Sequence, residues 1–316
     1  MNGLTAVSGI RVGHVSDRKG LTGCTVIRCE GAVAGVDVRG SATGTEEIDT
    51  LQPGHVAPQI HALTLAGGSA FGLEAASGVR QFLEAQGIGF PTRAAKVPIV
   101  PAAIIYDLAI GDGRSRPTRE MGHAAAKAAH AGPVEEGCVG AGTGATVGKV
   151  LGIEHAMKSG IGSHAVQLTS RVVVASLVVL NAWGDVRDPS SGRILAGART
   201  SPNSREFADA HAVIKRGAAS APFGRENTTL AVVATNAALT KVEATKLAQL
   251  AQLGLARTIF PVHTMADGDV AFALSLGKER APLDALGVAA AESVAQAVVR
   301  AAMLAKSLGG LPGLAG

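Results

Sequence analysis

Asn227-Thr228-Thr229-Leu230-Ala231-Val232-Val233-Ala234-Thr235 is the stretch on which the reading of this chain turns. From Thr228 to Thr235 the run is apolar and β-branched, the pattern of a buried strand. Residues 201–227 before it read SPNSREFADAHAVIKRGAASAPFGREN, with two prolines and room for at most a helical turn or two. A connector of this length with little regular structure is uncommon inside a compact domain unless it is functional or mobile. Asn227-Thr228 therefore sits where a long connector enters a core.

Toward the C-terminus, Lys241–Ile259 reads as a helix and Val270–Leu276 as a strand. Pro282–Lys306 reads as a long alanine-rich helix with Leu286, Ala290, Val294, Val298 and Met303 on a broad apolar face. Toward the N-terminus, Val166–Asn181 carries the clusters Val172-Val173-Val174 and Val178-Val179, followed by a turn-like Ala182–Pro189. Cys24–Cys29 and Val33–Val38 read as two strands around a turn at Gly31, residues 40–58 as loop, and His61–Ala66 as a strand. Ala70–Ala85 has Phe71, Ala75, Val79 and Phe82 at helical spacing. Val97–Leu108 leans toward β structure, and Pro117 opens a helix through the alanine-rich Arg119–Ala131. No heptad array or longer repeat is present. The alternation predicts one α/β domain over residues 1–316, with β-sheets sandwiched by helices.

Composition narrows the function. Of 316 residues, 47% are hydrophobic and 17% charged, enough apolar surface to offset the entropy of ordering. The formal charge is only +4, without a basic run, and aromatics make up 3%; neither a nucleic-acid partner nor an anionic membrane is expected. Apolar stretches such as Val172–Leu180 are too short to span a bilayer. The opening MNGLTAVSGIRVGHV lacks the charged and apolar regions of a secretory signal. Cys24, Cys29 and Cys138 fit no zinc spacing and read as idle thiols in a reducing compartment, so a cytoplasmic location is expected.

Several motifs fail on spacing. Gly140–Lys149 suggests a phosphate loop, but Thr143 stands where that loop needs glycine and Val150 where it needs Ser or Thr. A lysine ending such a backbone-accessible segment can still point into a site. Ser69 in Gly67-Gly68-Ser69-Ala70-Phe71-Gly72 resembles a nucleophile elbow with its second glycine one position late, and reads better as a tight strand-to-helix turn. His263, Asp267 and Asp269 are metal-ligand types without a matching cluster elsewhere, so no metal is expected.

Asn227-Thr228 offers different chemistry. A threonine hydroxyl is a poor nucleophile without an adjacent base. Cleaving the chain before Thr228 would free its own α-amine, which titrates at about 7.7–8.0 and suits proton transfer near neutrality.

These pieces together resemble the P1 family of self-processing peptidases, which includes L-aminopeptidase D-amidase/esterases, β-aminopeptidases and nylon-oligomer hydrolases. The resemblance covers almost the whole chain. It rests on Leu65–Ala75, Ile104-Ile105-Tyr106-Asp107, Gly142–Lys149, Asn227-Thr228-Thr229 with Ala234-Thr235-Asn236, and His263-Thr264 followed by Asp267-Gly268-Asp269. It implies an N-terminal-nucleophile αββα sandwich, two β-sheets between helical layers. It further implies autocleavage between Asn227 and Thr228 into an α chain, 1–227, and a β chain, 228–316. Thr228 would be the nucleophile, Lys149, Asn181, Asp267 and Asp269 functional partners, and Tyr106 part of the substrate pocket. The threonine and the Asp267-Gly268-Asp269 pair lean toward the nylon-hydrolase branch, whose long N-terminal extension this chain lacks. The implied enzyme is a cofactor-free amidohydrolase or aminopeptidase on small amides or peptides, assembled as tetramers or larger. Two alternatives are an acyltransferase of the ornithine acetyltransferase type and an unprocessed binding or structural relative.

Overall fold

The computed structural model describes residues 3–218 and 227–316. Nine strands build the two main sheets: β1 (Arg11–Asp17), β2 (Thr22–Val38), β3 (Thr45–Glu46), β4 (Ile60–Ala66), β5 (Ala102–Ile104), β6 (Ile161–Gln167), β7 (Val173–Val179), β8 (Leu230–Ala237) and β9 (Val270–Glu279). Among the described residues five α-helices accompany them: α1 (Glu74–Ala85), α2 (Arg119–Ala128), α3 (Ala210–Lys215), α4 (Lys241–Ala256) and α5 (Leu283–Met303).

The first sheet runs β1-β2-β4-β5-β3 and the second β6-β7-β8-β9-β2, so both contain β2. Residues 22–28 of β2 pair with β1 and β4, and residues 33–38 pair with β9. The register against β4 shifts between Arg28 and Ala32, and Gly31 there has φ +87°. What reads in sequence as a turn between two strands is an irregularity inside one strand, where it passes from sheet to sheet. Glycine adopts that dihedral without the Cβ clash other residues would meet.

Side-chain alternation creates three apolar layers. Ile27, Leu63 and Leu65 of the first sheet meet Leu177, Val179, Leu230, Val232, Phe272 and Leu274 of the second in a shared core between the sheets. The opposite face of the first sheet, with Cys24, Val26, Ala62 and Ile104, buries against Ala75, Val79 and Leu83 of α1 and Ala125 and Ala126 of α2. The opposite face of the second, with Val174, Val178, Ala231 and Val233, buries against Leu247 and Leu255 of α4 and Leu286, Val294 and Val298 of α5. The result is the αββα sandwich. Helix α5 is long and apolar enough by composition to cross a membrane, yet its apolar side is buried against β6, β7 and α4.

Helix starts follow local chemistry. Thr118 accepts the Met121 N–H ahead of α2. Thr240 and Glu243 form a reciprocal capping box at α4. Elsewhere the boundaries differ from expectation. Ser69–Leu73 forms a tight 3-10 turn and α1 begins at Glu74. Only Ala102–Ile104 of the 97–108 run joins the sheet. The 40–58 loop contains β3 and a 3-10 turn at Ile48–Leu51, and Asp185–Arg187 forms a strand of a small outlying sheet. Within the 201–227 connector α3 provides the short helix, and its 219–226 portion lies outside the described residues.

Candidate active site

The strands deliver the site at one end of the second sheet. Strand β8 is central, antiparallel to β7 and parallel to β9. Residues just before β8 and β9 therefore lie side by side, with Asn227 bridging Asp267 in parallel fashion. Asn181 follows β7 and meets them from the other side. Periodicity alone does not bring these three segments together; the strand order does.

Thr228 is buried. Its backbone N–H donates to the Asn181 carbonyl at 3.0 Å, and its hydroxyl donates to the carbonyl of Asn227 at 2.7 Å. That same Asn227 carbonyl accepts from the Gly268 N–H at 2.7 Å. The hydroxyl thus lies against the carbonyl group of the peptide that precedes it.

Asn181 is wholly buried and its side chain is pinned at both ends. Its Oδ1 accepts from Lys149 Nζ at 2.8 Å and from the Thr146 N–H at 3.1 Å, while Nδ2 donates to the Tyr106 carbonyl at 3.0 Å. One of the two amide N–H bonds is used in that contact, leaving the second for another acceptor. Lys149 Nζ also donates to the Thr146 carbonyl at 2.9 Å, to Thr146 Oγ1 at 3.0 Å and to the Asn181 carbonyl at 3.2 Å. The glycine-rich segment does carry its terminal lysine into the site.

The two carboxylates have separate partners. Asp267 accepts from the Thr264 hydroxyl at 2.6 Å, the Thr264 N–H at 3.1 Å and the Trp183 N–H at 3.3 Å. Burial pushes Asp267 up to about 6, with the neighbouring Asp269 adding to the shift. Asp269 accepts from the Thr229 N–H at 2.7 Å through one oxygen, and from the backbone and ring N–H groups of His263 at 3.1 and 2.9 Å through the other. With the chain continuous at Thr228, the Asp269 carboxylate holds the backbone after the nucleophile candidate, the Gly268 N–H holds the carbonyl before it, and the Asp267 carboxylate braces the Thr264 turn and Trp183.

The sequence reading misses the Gly40–Ala42 strap. Gly40 N–H donates to the Asp269 carbonyl and Ala42 N–H to the Asp267 carbonyl, so this segment lines the turn that carries both carboxylates. It also misses Thr146 and Thr264. A threonine three residues before an aspartate, Thr264-x-x-Asp267, is a local turn signal that marks the second. His263, considered in sequence as a metal ligand, is instead paired with Asp269. Among the described residues no group of three or more His, Cys, Asp or Glu is placed to hold a metal ion. Ser69 is the first residue of its tight turn, with φ +53°. The three cysteines are buried and unpaired, and burial pushes the Cys24 thiol up to about 12.

Comparisons with known proteins converge on this architecture. The model of peptidase family S58 matches residues 2–315. An uncharacterised aminopeptidase of Mycobacterium leprae is 38% identical over 99% of this chain and 93% of its own length. A 6-aminohexanoate-oligomer endohydrolase of a Kocuria species is 32% identical, covering 93% of this chain and 84% of that protein. The L-aminopeptidase D-Ala-esterase/amidase of Ochrobactrum anthropi, described as a variant of the N-terminal-nucleophile hydrolase fold, superposes with a TM-score of 0.73 at 21% identity, covering 98% of this chain and 88% of its own. The fold is shared with that enzyme.

Proposed function

The chain belongs to peptidase family S58, and on that premise we propose that it hydrolyses the amide bonds of short peptides, amino-acid amides or related oligomers, with Thr228 as a nucleophile uncovered by cleavage of its own chain. The observation that carries this reading is the Thr228 hydroxyl set 2.7 Å from the Asn227 carbonyl oxygen, in a buried site supplied with one lysine, one pinned amide and two carboxylates. The relatives named above support the amide chemistry.

In the processing step Thr228 Oγ attacks the Asn227 carbonyl carbon and gives up its proton. The C–N bond breaks, the acyl group passes to Oγ as an ester, and the Thr228 amine is released with the proton. Water then hydrolyses the ester, leaving Asn227 as a carboxylate. In turnover the freed amine takes the Oγ proton, Oγ attacks a substrate amide, and the proton passes to the leaving amine; water then cleaves the resulting ester, releasing the acyl group as a carboxylic acid and restoring the Oγ hydroxyl. The remaining Asn181 amide N–H is the candidate donor to the oxyanion. Lys149 fixes that amide and keeps positive charge beside the amine, favouring its neutral form; Asp267 and Asp269 oppose this by favouring the ammonium.

Substrates with a free amine suit this site best. A small amide or peptide needs an oxyanion donor and a carboxylate for its ammonium, the roles we assign to Asn181 and to Asp267 or Asp269. Burying an unpaired substrate carboxylate is costly. The test is denaturing mass analysis of the purified protein, followed by turnover of amino-acid amides, β-peptides, aminohexanoate oligomers and N-acylated acidic amides. Two fragments split at Asn227–Thr228 and preference for amine-bearing substrates are expected. A permanently single, active chain would overturn the nucleophile assignment, and preference for the acidic amides would overturn the substrate class.

A further inference from the structure

Lys158 is a fully buried lysine, and the chemistry above does not use it. It stands opposite Thr146 in a short antiparallel pairing of Thr146–Val147 with Met157–Lys158. Its Nζ donates to the Thr143 carbonyl at 2.9 Å and to the Ala145 carbonyl. The next residue, Ser159, donates its N–H to the same Ala145 carbonyl at 3.1 Å and its hydroxyl to the carbonyl of Leu180, the neighbour of Asn181. A second buried charge closes the segment from the other side. Asp107 accepts from the Gly68 N–H at 2.6 Å and from Thr22 Oγ1 at 2.8 Å, and a Cβ placed on Gly144 would lie 2.6 Å from the Asp107 Cβ.

Both charges border the two backbone groups that orient Asn181. The Thr146 N–H, which reaches Asn181 Oδ1, follows Ala145, held by Lys158. The Tyr106 carbonyl, which receives Asn181 Nδ2, immediately precedes Asp107. Buried charges cost stability that apolar side chains of similar volume would not, and a fully bonded polar network returns rigidity instead. Burial lowers Lys158 to about 8 and raises Asp107, each shift moderated by the charge of the other.

We propose that Lys158 and Asp107 are positioning residues, a buried clamp on Thr143–Thr146 and Tyr106 that fixes the Asn181 amide and the Lys149 ammonium for catalysis. The proposal rests on the role given to Asn181 above. The experiment compares Lys158→Met, which keeps the stem and removes the donors, with Asn181→Ala and the double variant, in the full-length protein. An amino-acid p-nitroanilide that the wild-type enzyme turns over is the substrate. Expected is a loss of about 10- to 100-fold in kcat with KM within about twofold, and a double variant no slower than Asn181→Ala alone. Losses that multiply in the double variant, or a change confined to KM, overturn the clamp while leaving Asn181 in place. Full activity in Asn181→Ala removes the catalytic assignment itself, and the clamp with it. Should Lys158→Met not fold by circular dichroism, Asp107→Asn decides: a fall in kcat at constant KM supports the clamp and wild-type kcat refutes it.

Discussion

Lys149 Nζ lies 2.8 Å from Asn181 Oδ1 and 3.2 Å from the Asn181 carbonyl oxygen, so one side chain grips both the side chain and the backbone of its partner. The same carbonyl accepts the Thr228 N–H. Lys149 is thereby joined to the nucleophile candidate through a single residue. Lys149→Ala is expected to lower kcat by about 100-fold or more, roughly 3 kcal/mol of transition-state stabilisation. Steady-state kinetics on an amino-acid amide reads this directly; a variant within threefold of wild type contradicts the role.

Thr228→Ala removes the hydroxyl that faces the Asn227 carbonyl. A single full-length, inactive chain is expected in place of two fragments that remain associated. Cleavage at wild-type rate, measured by mass over time after purification, would show that another group attacks.

Gly268 is a sharper probe of geometry. A Cβ there would fall 2.5 Å from Thr228 Oγ1 and 2.4 Å from the Ala42 carbonyl oxygen, closer than real side chains come. Gly268→Ala is expected to push the hydroxyl off the Asn227 carbonyl and slow processing by at least tenfold. The core, which it does not touch, should keep the far-ultraviolet circular dichroism of the parent. Unchanged processing would mean that the hydroxyl position tolerates displacement.

The acidity of Asp267 gives a pH test with a definite sign. Its folded pKa is raised from 3.8 to about 6, so between those values the folded protein binds more protons than the unfolded chain. This group therefore makes stability fall as pH rises through that window. Asp267→Asn removes the dependence, so its stability relative to wild type should improve from pH 4 to pH 7, read by denaturant unfolding. In the cleaved enzyme, losing this negative charge also lowers the pKa of the Thr228 amine, shifting the rising limb of kcat/KM to lower pH. A limb that stays put removes Asp267 from the electrostatics of the base.

A core substitution calibrates these effects. Phe272 is 1% exposed between the sheets, and Phe272→Ala is expected to cost about 3–5 kcal/mol without preference for catalysis. Thermal unfolding together with activity per folded molecule separates it from the site variants; a loss of specific activity matching the Lys149 variant would mean the site is not insulated from the core.

Much of this architecture is legible because burial leaves a periodic trace. TTLAVVAT and the Val172–Val179 clusters mark strands that are flanked on both faces by apolar layers, and the final helix buries Leu286, Ala290, Val294 and Val298 on one side as its pattern predicts, although Met303, placed on that face by spacing, is exposed at the helix end. Gly31 misleads because a glycine with positive φ looks the same in a turn and in a strand that changes sheets. The strap at Gly40–Ala42 is invisible for another reason: it contributes backbone N–H groups, which every residue but proline has. Thr228 and Lys149 are suggested by their local sequence, but their grouping with Asn181 and the Asp267–Asp269 pair emerges through family resemblance, because these segments are distant in sequence and meet only through strand order.

The second sheet also dictates when the site comes into being. Val38 of β2 lies opposite Val270 of β9, and β8 and β9 are inserted between strands from the first two-thirds of the chain. On a ribosome, residues 22–38 leave early and wait for almost the entire polypeptide before their neighbour arrives. Until then the carboxylates of the 267–269 turn have not been synthesised beside Thr228. Under the proposed chemistry the order of synthesis acts as a timer: a product truncated before residue 267 carries the threonine but not its setting, and is expected to stay uncut.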